Sequence, residues 1–207
     1  MSVGGTLVEG LAMLWPAGLS NCAEPDYWQR MTSNHARLIT LLSAIAAAAA
    51  LRLVPHPPNF SPIDAMALFS GAYLGRRWLA FVAPIAALLL SDLVLGFYAG
   101  MWVQYLTVAL VVLLGSRALR RVSVLRVGGA AVASAVLFFL LTNFGVWAMS
   151  GMYPLTASGL AACYVAAIPF FQNTLAGDLF YSGLLFGGFA LAEHFVPRLR
   201  AGAPQPA

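Results

Sequence analysis

Two aspartates interrupt apolar runs where nothing local accounts for them. Asp92 stands near the end of the stretch Trp78–Phe97, and Asp178 lies inside Asn173–Phe195. Read as helices, these stretches put Asp92 at a C-terminal end, where the helix dipole is negative and disfavours an acid. Asp178 comes a full turn after Asn173-Thr174, the expected cap. A charge within an apolar span costs about 2.5–3.5 kcal/mol on insertion scales, so each acid needs a partner. Three kinds of chemistry suit the pair. Two carboxylates within reach of one substrate position serve general acid–base hydrolysis. Two carboxylates facing a solute serve as hydrogen-bond acceptors. Paired with Arg52, the nearest cation apart from His56, they lock helices together.

Other residues join them. Pro55-His56-Pro57-Pro58-Asn59-Phe60 is a rigid loop, because consecutive prolines cannot be helical and favour extended backbone. It presents His56 and Asn59 at a fixed angle, suited to covering a pocket or simply to connecting two elements stiffly. Asn143, in Thr142-Asn143-Phe144-Gly145-Val146-Trp147, needs hydrogen-bond partners within its span; Trp147 offers a flat apolar wall or an interfacial anchor. Asp64 reads differently. With Ser61 as N-cap and Pro62 at the first helical position, it fits a capping-box acid in the first turn of a helix. In Ser43–Ala50, Ala44 with Ala48 and Ala46 with Ala50 put small residues four apart, a spacing that lets helix backbones approach closely in lipid, against a partner or within the chain's own bundle.

The elements that must position these groups are long and apolar. Crossing the hydrocarbon core takes about 20 apolar residues. Candidate spans are Leu38–Val54, the short Pro62–Gly75, Trp78–Phe97, Trp102–Ser116, Val127–Met149 and Asn173–Phe195. Between the last two, Gly159–Ile168 is too short to span and ends at Pro169, so a short re-entrant or interfacial helix is expected in that outer loop. The expected fold is an all-α integral membrane protein with six transmembrane helices. It occupies residues 37–197, between a disordered or misassigned extension over 1–36 and a cytoplasmic tail over 198–207.

Composition agrees. The 207 residues are 61% hydrophobic and 9% charged, against roughly 25% charged in soluble domains. The net charge of +4 comes from arginines, with no lysine; they sit in short clusters between apolar runs, which is not the pattern of a nucleic-acid-binding stripe. Six spans with a cytoplasmic N-terminus place every arginine except Arg52 on the inner side, as the positive-inside rule requires. The same arrangement puts Arg52, His56, Asn59, Asp64, Asp92, Asn143, Trp147 and Asp178 near the outer ends. That gathering of polarity suggests a site open to the outside. Cys22 and Cys163 form no CxxC pair and fall on opposite sides, so neither a metal ribbon nor a disulfide is expected. No Walker A motif occurs, and no cofactor is expected.

The run Arg52-Leu53-Val54-Pro55-His56-Pro57-Pro58-Asn59-Phe60-Ser61-Pro62 is similar to the opening of an uncharacterised bacterial family of membrane proteins assigned to transport. Ser91-Asp92, Asn143-Phe144-Gly145-Val146-Trp147, Tyr153-Pro154, Pro169-Phe170-Phe171 and Gly177-Asp178-Leu179-Phe180 fit it too, over residues 38–195. That family resembles the substrate-binding S components of energy-coupling factor (ECF) transporters. The resemblance implies a bacterial inner-membrane protein that binds a small vitamin-like solute from outside. It also implies an energising module of a transmembrane subunit and ATPases, touched by the first helix. The alternatives are a membrane-embedded hydrolase using Asp92 and Asp178, or an assembly partner without ligand.

Overall fold

The computed structural model describes residues 25–74, 78–97 and 100–200. Six α-helices make up the described chain, with no strand among the described residues: α1 (Pro25–Leu51), α2 (Ile63–Leu74), α3 (Trp78–Leu95), α4 (Met101–Ala118), α5 (Val124–Met149) and α6 (Ala157–Phe195). A single 3-10 turn, Pro197–Leu199, follows. Five of the six, all but α2, are long and apolar enough to cross a membrane. Their apolar side chains are largely turned outward: on α3, Leu90, Leu93 and Val94 are 65%, 61% and 71% exposed. In water such a surface would be untenable, whereas lipid tails solvate it. The chain has the make-up of a multi-pass membrane protein.

The sixth helix has a different job. α2 has 12 residues, a length of about 18 Å, short of the roughly 30 Å hydrocarbon core. Nearly all its side chains are buried, from Ile63 through Gly71 and again at Leu74. A helix apolar on every side belongs in a protein interior, and α2 is the core of this one. One side meets α4 backbone to backbone. A Cβ on Gly71 would come 2.2 Å from the Val112 carbonyl oxygen, and one on Gly115 would come 2.5 Å from that of Leu68. Glycine is therefore obligatory at both positions for this crossing. On the other side, Phe69 meets Phe186 and Phe189 of α6 edge-on, with ring centroids 5.3 and 5.7 Å apart. Ser70 ties α2 to α3 by donating to the Ala80 carbonyl at 2.7 Å.

Two expectations change here. The outer loop contains no separate re-entrant helix: α6 runs unbroken for 39 residues through Pro169, a length of roughly 58 Å. Proline removes one hydrogen bond but does not end the helix here. α1 already begins at Pro25, inside the 1–36 segment expected to lack structure. Cys22, Arg76-Arg77 and the apolar run 11–19 lie outside the described residues.

The chain divides into two compact units, Thr40–Ala192 and a smaller one of Met1–Ile39 with Glu193–Ala207. In the smaller unit Arg37 pairs with Glu193 at 2.5 Å and also donates to the Leu199 carbonyl. Arg200 donates to the carbonyls of Glu193 and His194 at 2.8 and 3.2 Å. These bonds satisfy orphan acceptors at the end of α6 and set cations against its negative dipole end.

Candidate functional site

Within the unit Thr40–Ala192, one end of the bundle holds a cavity of about 440 Å³. It lies where α1 and α3 finish, α2 and α4 begin, and α5 and α6 pass. Leu53, Val54, Ile63, Leu95 and Phe138 supply apolar wall; Arg52, His56, Asn59, Asp64 and Asp178 supply polarity. Volume and lining match small-molecule sites, which are mostly apolar with a few convergent polar groups.

The proline loop forms one side, and its shape follows from its sequence. Phe60 N–H donates to the Pro57 carbonyl at 3.0 Å, and Asn59 has φ +64°. Proline followed by a left-handed asparagine is the make-up of the two central positions of a type II turn. α6 holds this turn down. Asn173 Nδ2 donates to the Pro58 carbonyl at 3.0 Å, and Gly177 leaves room for the backbone of Phe60 and Ser61, 3.1–3.3 Å from where a Cβ would be. Phe60 packs between Phe180 and Tyr181 with centroids 5.8 and 5.5 Å away. His56 Nδ1 lies 3.0 Å from the Pro57 carbonyl, so the tautomer protonated there donates to it.

The two aspartates that stood out in the sequence part company. Asp92 is 1% exposed, and both of its oxygens are engaged: Oδ1 accepts from Arg52 at 2.5 Å and Oδ2 from the Tyr105 hydroxyl at 2.8 Å. Arg52 also donates to Ser91 at 2.5 Å. This cluster joins α1, α3 and α4 beside the cavity, and Asp92 is not part of the cavity wall. Asp178 is a wall residue, 2% exposed, its Oδ2 accepting from Ser134 of α5 at 3.1 Å. A shared catalytic pair of Asp92 and Asp178 therefore loses one member to structural partners.

Asp64 takes a place that the sequence reading did not give it. The helix begins at Ile63, the Pro62 carbonyl accepts from Met66 N–H, and Ser61 Oγ accepts from Ile63 N–H at 3.4 Å. Asp64 does no capping. It is 3% exposed, lines the cavity, and its Oδ1 has no hydrogen-bond partner. It shares the cavity wall with Asp178. Its placement after a Ser-Pro start favoured the capping role; nothing in the sequence marks α2 as a buried central helix whose first turn faces a cavity.

Asn143 and Trp147 lie elsewhere. Asn143 Nδ2 donates to the Phe139 carbonyl of its own helix at 2.8 Å. It borders a smaller cavity of about 280 Å³ that shares Asn59, Gln104 and Phe138 with the larger one. Trp147 Nε1 donates to the Pro154 carbonyl at 3.0 Å, fastening the α5–α6 connection, and it lines neither cavity. The alanine face of α1 also divides. Ala48 is 3% exposed and packs inward; Ala46 and Ala50 are exposed and border an apolar groove of about 330 Å³ against Ala83 and Ala86 of α3. Ala48 is thus unavailable to a partner, and Ala44 is half-buried. Among the described residues, no three His, Cys, Asp or Glu side chains gather where a metal ion could sit.

Residues 32–199 match a model of a family of unknown function, DUF6580. The chain belongs to this family. No curated protein and no solved structure matches it. The DUF6580 match takes in α2 through α6 and the final 3-10 turn, so every residue that lines the cavity lies inside it.

Proposed function

We propose that this DUF6580 chain is a solute-capture protein of S-component type, taking a small vitamin-like molecule into the cavity between the proline loop and α6. The observation that carries this reading is the cavity itself: about 440 Å³, walled by apolar side chains, with polar groups from four separate segments converging on it. Assembling Arg52, His56, Asp64 and Asp178 in an apolar body costs free energy unless a ligand or their mutual contacts repay it.

In this reading the chain sits in a bacterial inner membrane with both termini cytoplasmic. The positive-inside rule supports that orientation, since Arg117, Arg120, Arg121 and Arg126 follow the end of α4 opposite the cavity. The cavity then opens outward. A body this small, with no internal repeat, is poorly suited to rock around its own site as repeat-built carriers do. Uptake then calls for an energising partner, and because no Walker A motif occurs in this chain, ATP hydrolysis falls to that partner. The exposed Ala46 and Ala50 of α1 give it a place where backbones can approach closely.

Native mass spectrometry of protein purified from cells in rich medium tests the capture reading. The expected spectrum shows the chain with a small molecule that dissociates on activation and that intact cells accumulate only when the protein is present. Protein that emerges empty, from cells whose accumulation of medium solutes does not change with its expression, overturns the reading.

A further inference from the structure

We infer that the solute is an organic cation, its ammonium or equivalent positive group held between Asp64 and Asp178. The inference rests on the capture reading of the cavity and adds the charge of what is captured. Both acids line the cavity, 3% and 2% exposed. Asp178 has one neutral donor, the Ser134 hydroxyl at 3.1 Å. Asp64 Oδ1 is buried with no hydrogen-bond partner at all. An unpaired buried carboxylate is among the costliest arrangements in a protein, and here two share a wall.

The guanidinium beside the cavity is already committed. Arg52, the one arginine among the described residues that line the cavity, is drawn to Asp92 at 2.5 Å and Ser91 at 2.5 Å. The N-terminus of α2 contributes at most about half an elementary charge beside Asp64, so ionising the two acids together calls for a positive group from outside the protein. An anionic solute cannot supply it, nor can a neutral one. A cation supplies it by donating to Asp64 Oδ1 and Asp178 together. A bare inorganic ion fits poorly. The cavity of about 440 Å³ is many times the roughly 30 Å³ that one water occupies in the liquid, and no group of three acidic, His or Cys ligands exists among the described residues. The walls of Leu53, Val54, Ile63, Leu95 and Phe138 suit a carbon skeleton attached to the charge.

The test uses the full chain in detergent and a small-molecule extract of rich growth medium, separated by ion exchange into cationic, anionic and neutral fractions of matched ionic strength. Sodium chloride and potassium chloride alone form two further arms. Thermal unfolding is read in each. The cationic fraction is expected to raise Tm by about 5 °C or more, and the other arms to leave it in place. Asp64→Asn and Asp178→Asn are each expected to lose that shift, while the empty variants melt no lower than the empty native chain, because each exchanges a buried acid for an uncharged side chain of the same shape. A purely structural role would instead lower the empty Tm. Stabilisation by the anionic or neutral fraction overturns the charge assignment and leaves capture standing. Stabilisation by sodium chloride but not potassium chloride overturns it in favour of an inorganic ion. No response to any fraction overturns both readings. A cationic shift that survives in both variants overturns the site. Should neither variant fold, the comparison of fractions on the native chain still decides the charge.

Discussion

Removing Arg52 should damage the protein far more than removing both members of its ion pair. Asp92 is 1% exposed and the Arg52 side chain 11%, so the pair is desolvated but lies at the end of the bundle. In Arg52→Met, Asp92 keeps Tyr105 on Oδ2 but loses the cation on Oδ1. Breaking a buried pair from one side in this way costs about 3–5 kcal/mol. Asp92→Asn leaves a guanidinium that retains Ser91 and can relax toward the loop, a loss of about 1–3 kcal/mol. The double variant has no stranded charge, and exchanging a buried pair for uncharged side chains is often close to neutral. A cycle of the four proteins should therefore give a coupling of about 4 kcal/mol or more. In thermal unfolding, Arg52→Met should fall by roughly 6–20 °C, taking about 2–4 °C per kcal/mol for a chain of this size, and the double variant should recover most of that loss. Additive single effects, or a double variant worse than either single one, refute the argument that Asp92 is held by charge compensation. Affinity for the captured solute should hardly change in Asp92→Asn, since Asp92 is not in the cavity wall.

Two further predictions follow from the topology and from the first helix. In intact cells, a cysteine at Met101, at the start of α4, should react with an impermeant thiol reagent, whereas one at Ser123, before α5, should not; labelling at Ser123 from outside would reverse the orientation. Ala46→Leu and Ala50→Leu, on the exposed side of α1, should cut uptake several-fold with solute binding and Tm preserved, while Ala48→Leu, 3% exposed, should destabilise by about 1–3 kcal/mol through overpacking. If Ala46→Leu and Ala50→Leu transport normally, the exposed alanines face lipid rather than a partner.

What could be read from the sequence is what depends on local pattern. Apolar length located the long helices, because a bilayer demands it of any chain that crosses. The pairing of Asp92 with Arg52 followed from scarcity: a buried acid needs a cation, and few were near. The stiffness of the loop Pro55-His56-Pro57-Pro58-Asn59-Phe60 is written in prolines whose backbone preference is narrow, whereas its turn at Pro58-Asn59 shows only in the structure. The failures share a different cause. That the helix within Pro62–Gly75 is buried in protein instead of facing lipid depends on what surrounds it, and Gly71 and Gly115 reveal their meaning only when two helices meet. Pro169 looked like a terminator, since proline removes a hydrogen bond wherever it stands; the context that carries α6 through it is not local.

Asp64 shows how this difference bears on function. In the first turn of an exposed helix, an aspartate is a cap or a dipole partner and needs no further account. The same residue at the start of a helix buried on nearly every side is an acid with water removed, and in the proposed site its unpartnered Oδ1 is the feature that most constrains what can occupy the cavity. The sequence singled out Asp92 and Asp178 because both break apolar runs, yet Asp92 is satisfied by protein groups on both oxygens. On the proposed capture reading, the specificity of the cavity falls to the acids that the protein leaves short of donors. Discrimination follows from that shortage: a solute without a positive group forfeits the compensation that a cation supplies, and buried polar groups left unpaired are what makes a site reject a near-isostere.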